Sequence, residues 1–165
     1  MRIWLAVLLL TLGLANAAHA CGTSPPELLS RKPLRGSHLA LNHGFGPRFH
    51  PEEHRRYFHT GIDWNAPKGA VVYASGDGRV INVTTYNPTR HYLAIDHGNG
   101  WITGYGELAR INVAEGECVK QGQQLGLVVP MATIVRPHLH FEVIHNGRLV
   151  NPIEIPRSAK SVAPR

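Results

Sequence analysis

Apolar and polar residues alternate in short runs along most of this chain, and turn residues interrupt them at intervals of roughly ten residues, which predicts strands rather than helices. His38-Leu39-Ala40-Leu41 reads as a short strand that turns into a cationic loop through Arg56, collecting Arg48, His50, His54, Arg55 and Arg56. Ala66-Pro67-Lys68-Gly69 marks a turn, and Val71-Val72-Tyr73-Ala74 a buried strand. After the hairpin signal Asp77-Gly78, residues 79–86 set Val80, Asn82 and Thr84 against Ile81, Val83 and Thr85. Asn87-Pro88 and His97-Gly98-Asn99-Gly100 then bracket a strand over 92–96, and another follows over 101–108. Residues 113–126 place Gly116, Gly122 and Gly126 at the bends of tightly folded β structure. The last long strand, 139–145, ends at Asn146-Gly147, a type I′ hairpin signal, with Arg148-Leu149-Val150 returning along it. No amphipathic helix falls between these runs. The prediction is a single compact antiparallel all-β domain over 37–155.

The two ends follow a different pattern. Residues 3–14 are apolar apart from Thr11 and Gly13, follow the positive start Met1-Arg2 and lead to Ala18-His19-Ala20. Together these predict a secretory signal peptide over 1–20. The apolar run is shorter than the ~18 to 20 residues that cross a bilayer, so no membrane span is expected. Residues 21–36 read as an extended linker and 156–165 as a frayed basic tail.

Composition adds bounds. A chain of 165 residues with 43% apolar content can bury one core. Its net charge of +6 and pI near 9.7 suit nucleic acid, an anionic membrane or an acidic polymer such as a bacterial wall. Export removes intracellular nucleic acid as a partner and points to the periplasm, the cell envelope or secretion. Two cysteines are too few for a thiolate metal site. In an oxidising compartment Cys21 and Cys118 can form a disulfide. Cys21 would also be the first residue after cleavage, where a lipid anchor is attached, although Ala18 and His19 depart from the usual lipoprotein signal.

The candidate chemistry lies in two stretches. His59 and Asp63 form a His-x-x-x-Asp pair, and His138-Leu139-His140 lies some eighty residues on. On a strand, His138 and His140 share one face while Leu139 and Phe141 point to the other, into the core. Imidazole and carboxylate are the ligands of zinc sites that keep a fourth position open for catalysis, and three of these side chains could close on one metal. A histidine-rich metal scavenger, binding several equivalents, is the alternative that eleven histidines leave open.

With these stretches stand Phe45-Gly46-x-Arg48-x-His50-Pro51, His59-Thr60-Gly61-Ile62-Asp63-x-x-Ala66-Pro67-x-Gly69, Val72-Tyr73-Ala74-x-x-Asp77-Gly78, Ile95-Asp96-His97-Gly98-Asn99-Gly100 and Pro137-His138-Leu139-His140-Phe141-Glu142-Val143 with Asn146-Gly147. Over residues 33–152 the chain closely resembles the lysostaphin/LytM-type zinc metallopeptidases, cell-wall endopeptidases with a duplicated hybrid β fold of barrel-sandwich type. The resemblance implies one zinc held by His59, Asp63 and His140, a catalytic His138 beside the metal, and peptide cross-links of peptidoglycan as substrate for a monomer.

It also exposes a departure. The family's second catalytic histidine, in a Tyr-x-His-Leu segment, is replaced in Tyr105-Gly106-Glu107-Leu108, and the Gly-rich loop before the His-x-His strand is replaced by residues 130–136. Glu107, expected on the same strand face as Tyr105 and Thr103 and hence in the cleft, becomes the candidate general base. The alternative is a degenerate zinc-containing domain that binds the wall or activates another wall hydrolase.

Overall fold

Turn chemistry cuts this chain into twelve strands among the residues that the computed structural model describes, which are 21–24, 29, 32–36, 40–50, 54–130 and 136–155. The expected signal peptide and basic tail lie outside them. The strands are β1 (Leu41–His43), β2 (Gly46–His50), β3 (Arg55–His59), β4 (Ile62–Asn65), β5 (Val71–Tyr73), β6 (Gly78–Asn87), β7 (Arg90–Asp96), β8 (Trp101–Ile111), β9 (Cys118–Val119), β10 (Gln124–Val128), β11 (His138–His145) and β12 (Arg148–Val150). Asn146 and Gly147 both take positive φ, at 49° and 75°, which is what the two-residue turn from β11 to β12 requires.

One antiparallel sheet runs in the order β1-β4-β11-β8-β7-β6-β9, with β12 against β11 and β10 joining β5 to β8. Its inner face carries Ile62, Trp64, Leu93, Ile95, Tyr105, Leu108, Leu139, Phe141 and Val143, all buried. The all-β expectation holds. No helix among the described residues is long and apolar enough to cross a membrane.

Two segments differ from the sequence expectation. Part of the predicted cationic loop is a separate hairpin, in which β2 pairs with β3 through Pro47↔Phe58, Arg48↔Tyr57 and Phe49↔Arg56. Its strands were hard to read because Phe49 and Phe58 are exposed, so the usual contrast between buried apolar and exposed polar positions is missing. The described residues of 21–36 are held against the domain rather than strung out from it. Cys21 is disulfide-bonded to Cys118, Ser24 donates its N–H to the His97 carbonyl, Leu29 is fully buried, and Leu34 bridges to Val72. Lys32 and Arg35 lie over the rings of Trp64 and Tyr73 at 4.4 and 4.1 Å. While that disulfide stands, the Cys21 sulfur is not available for a lipid.

A buried polar chain crosses the core beside the disulfide-linked segment. His97 Nδ1 donates to the Asp77 carbonyl at 2.7 Å, and Nε2 lies 2.7 Å from the Thr103 hydroxyl, which in turn bonds the Tyr105 hydroxyl at 2.9 Å. The carbonyl can only accept, so Nδ1 carries the proton of the neutral ring and Nε2 is the ring atom that faces the Thr103 hydroxyl. Burial pushes the His97 pKa down, and the opposing pull of the Asp77 carbonyl and of the Asp96 and Asp77 charges does not restore it.

Two outcomes are expected. The 97-residue separation of the bridged cysteines makes the disulfide worth ~4 to 5 kcal/mol on the chain-entropy model, so chemical denaturation of Cys118→Ser should show a loss of that order, and the mature wild type should weigh two hydrogens less than its reduced form. His97 is neutral in the folded state and more readily protonated when unfolded. Stability should therefore decline as pH falls through the ordinary histidine value of about 6.5, and His97→Gln should flatten that slope between about pH 7 and 5 in parallel denaturation series.

Candidate metal centre

Three strands deliver the three candidate ligands of the site. β3 ends on His59, and the chain turns through Thr60 and Gly61 into β4, which carries Asp63. A Cβ on Gly61 would come within 2.3 Å of the Phe141 carbonyl, so only glycine lets this corner pass so close to β11. β4 then pairs with β11 in a register that sets Asp63 opposite His140, with Ile62 opposite Phe141 and Trp64 opposite Leu139. The alternate residues bury in the core, and Asp63 and His140 are left together on the other face.

His59 Nε2 lies 3.1 Å from Asp63 Oδ1 and 3.1 Å from His140 Nδ1, and His140 Nδ1 lies 2.9 Å from the same carboxylate oxygen. These are three potential ligand atoms within 4.8 Å of one another. The outward contacts of the two rings locate their protons. His59 Nδ1 donates to the Gly44 carbonyl at 2.7 Å, and His140 Nε2 donates to Glu142 Oε1 at 3.0 Å. In the neutral rings the inward atoms, Nε2 of His59 and Nδ1 of His140, therefore present lone pairs to each other and to a carboxylate. Such a set repels itself unless a cation sits among it, and two imidazoles with one carboxylate are a zinc donor set.

The electrostatics agree. Burial pushes Asp63 up, but the hydrogen bond with His140 and the fields of His59, His140 and His138 bring it down to about 2. Burial likewise pushes His140 down, yet Asp63 and Glu142 raise it to about 9. Glu142 is held at about 2, against its burial, by hydrogen bonds with His140, Thr60 and Tyr92. Two anchored carboxylates thus make a pocket that stabilises positive charge, which a proton on His140 satisfies in the absence of a metal.

The family described as Peptidase family M23 matches residues 57–152, more than half of the chain. This chain belongs to that family. Among curated relatives, it is 37% identical over 134 residues to the peptidoglycan DD-endopeptidase ShyB of Vibrio cholerae, covering 81% of this chain and 32% of ShyB. It is 39% identical over 111 residues to the DD-carboxypeptidase/endopeptidase Mpg of Neisseria meningitidis, covering 67% of this chain and 26% of Mpg. The chain thus spans a third or less of these relatives. Among solved structures it resembles a zinc-containing peptidase from Vibrio cholerae, with a TM-score of 0.68, 36% identity and coverage of 76% of this chain and 39% of that one. The lysostaphin/LytM-type resemblance and its antiparallel β fold agree with these matches.

In this M23 domain the remaining candidates sit outside the trio. His138 shares the His140 face, and its Nδ1 donates to the Arg136 carbonyl at 2.9 Å, which makes Nε2 the acceptor atom of the neutral ring. Glu107 needs a correction. Tyr105 and Thr103, whose face it was expected to share, are fully buried and point into the core. Glu107 leaves that face because β8 bulges. Gly106 and Glu107 together occupy the span between Tyr105, opposite Leu93, and Leu108, opposite His91, where β7 has only Tyr92. Glu107 takes φ of 61° there, and its carboxylate lies 3.4 Å from Arg90 Nε. Gly106 pairs with His140, so the bulge borders the site.

Four contributors were not singled out from sequence. Glu142 was legible, since strand alternation puts it on the face of His138 and His140. Thr60 lies inside the His59 motif but carries no ligand signal. Tyr92, which donates to Glu142 Oε2 at 2.8 Å, and His43, which pairs with Asp63 across β1 and β4 and whose Nδ1 donates to Asp63 Oδ2 at 3.1 Å, come from strands remote in sequence and had no local pattern to mark them.

Proposed function

We propose that this chain is an exported zinc metalloendopeptidase domain that hydrolyses peptide cross-links of peptidoglycan, acting as a monomer in the periplasm or cell envelope. The observation that carries the reading is the convergence of two imidazole lone pairs and the Asp63 carboxylate, each with a fixing contact behind it: Gly44 for His59, His43 for Asp63 and Glu142 for His140. Similarity to ShyB and Mpg supports the substrate class, and the apolar leader with the Cys21–Cys118 disulfide supports export.

His59, Asp63 and His140 would hold one zinc. A zinc ion there supplies Lewis-acid polarisation of the scissile carbonyl and a nucleophilic water near neutral pH. The chain's own residues do the rest. His138, with Nδ1 tied to the Arg136 carbonyl, turns Nε2 to the role of accepting or returning a proton beside the scissile bond. Glu107, on the bulge next to Gly106, is the second acid/base group where a histidine is usual, and Arg90 holds its carboxylate in place. The contact with Arg90 also favours a second reading, in which Glu107 is occupied by the ion pair and the domain binds the wall or activates another hydrolase without cutting.

Elemental analysis should find one zinc per chain, lost in His59→Ala and His140→Ala and retained in His54→Ala and His145→Ala. Full zinc in His140→Ala would refute the ligand set, and several equivalents in wild type would favour a scavenger. Asp63→Asn should weaken binding by removing a negative charge. Glu107→Gln keeps the shape and removes basicity. It should leave zinc content intact and slow release of muropeptides from purified sacculi by at least ~10²-fold, the low end for a positioned acid/base group. Equal cleavage by both proteins would remove Glu107 from catalysis, and binding to sacculi without cleavage by either would establish the second reading.

A further inference from the structure

Glu142 is a carboxylate beside the proposed metal centre that is not one of its ligands. Oε1 accepts from His140 Nε2 at 3.0 Å and from the Thr60 hydroxyl, and Oε2 accepts from the Tyr92 hydroxyl at 2.8 Å. The donors come from three places: the corner before β4, strand β7 and strand β11 itself. Two glycines make that convergence sterically open. Tyr92 must reach across β8, and it does so over Gly104, the residue paired with Glu142, where a Cβ would come within 2.1 Å of the Tyr92 hydroxyl and 3.0 Å of Glu142 Oε2. A Cβ on Gly61 would meet Glu142 Cγ at 3.0 Å as well as the Phe141 carbonyl.

An incidental ion pair with His140 would need neither the second and third donors nor the space cleared for them. We infer that Glu142, clamped by Thr60 and Tyr92, is a positioning residue that holds His140 with Nε2 protonated and Nδ1 turned toward Asp63 and His59. The clamp works by geometry. With Nε2–H tied to Oε1, the ring can neither flip nor shift its proton to Nδ1 without losing a charge-assisted hydrogen bond. Tyr92 and Thr60 fix the carboxylate in turn, so that it does not swing toward the centre and become a ligand itself. The inference rests on the proposed zinc site and goes beyond it by assigning a role to residues that touch neither metal nor substrate.

The test measures zinc affinity of the purified chain by competition with a chromophoric chelator, together with the visible absorption spectrum of the cobalt(II)-substituted protein and near-ultraviolet circular dichroism. Glu142→Gln should bind zinc ~10- to 100-fold more weakly, the usual cost of removing a partner behind a ligating histidine, and should alter the cobalt spectrum while the dichroism stays that of wild type. Tyr92→Phe, which deletes one oxygen and is the milder change should Glu142→Gln fail to fold, should shift both readouts in the same direction by less. Gly104→Ala should reproduce it by displacing the Tyr92 hydroxyl. Wild-type affinity and spectrum in Glu142→Gln, or in Tyr92→Phe where that variant alone folds, would overturn the inference whatever the activity. A wild type that binds zinc but leaves sacculi intact would sink the endopeptidase reading while the positioning role stood, and a wild type that binds no zinc would overturn both.

Discussion

The register of β4 against β11 fixes the site, because one set of cross-strand pairs decides both the core and the candidate metal centre. Ile62 and Trp64 bury on one face with Leu139 and Phe141, and the intervening pair, Asp63 and His140, is left on the other. Side chains alternate with a period of two, so a slip of one residue would turn all four apolar groups out and both polar groups in. Burying an apolar side chain of this size contributes roughly 1.5 to 3 kcal/mol, against about 1 kcal/mol for a typical net hydrogen bond. Four such groups outweigh anything the polar pair could favour by itself. The core therefore holds Asp63 and His140 in line even where the repulsion of their lone pairs works against it.

On the polar face, hydrogen bonding takes over as the organising force, and it needs room. Glycine at positions 61, 104 and 106 thins the backbone layer where strands and side chains come closest; a Cβ on Gly106 would lie 3.2 Å from His140 Cβ. Larger residues there would separate the rings, the carboxylates and Tyr92. The low values of Asp63 and Glu142 and the high value of His140 follow from this crowding, because closely set opposite charges outweigh the cost of burial.

Much of this was legible in the sequence, and the limits have physical causes. Asn146-Gly147 marked a hairpin because both residues tolerate positive φ, and alternation from His138 to Val143 told the two faces of β11 apart. The His-x-x-x-Asp and His-x-His motifs were visible from their spacing, while the choice of His59, Asp63 and His140 among them came from the family resemblance. Sequence could not show the partners of that group. Tyr92 and His43 reach it through strand order, a long-range property. The Glu107 expectation failed in its route, since period-two alternation was carried through a bulge that a single residue of positive φ creates. The lead-in was read as a linker because its anchors are a disulfide to a distant residue and single side chains such as Leu29 and Leu34, which show no periodicity.

In a largely buried site, two imidazole lone pairs and an ionised carboxylate within hydrogen-bonding distance of one another cost stability unless positive charge joins them, and leaving such groups uncompensated is among the larger penalties in a folded protein. A proton on His140 meets that need only by giving up one lone pair. A divalent ion meets it with all three groups serving as ligands and with every outward contact, to Gly44, His43 and Glu142, kept. The arrangement is thus better suited to a metal than to its own apo form. That conclusion is independent of Glu107. A domain that held a metal but lacked a second acid/base group would have the same core, the same register and the same contacts on His140, so on the proposed reading the division between enzyme and wall-binding module turns on one bulged residue and the ion pair it makes with Arg90.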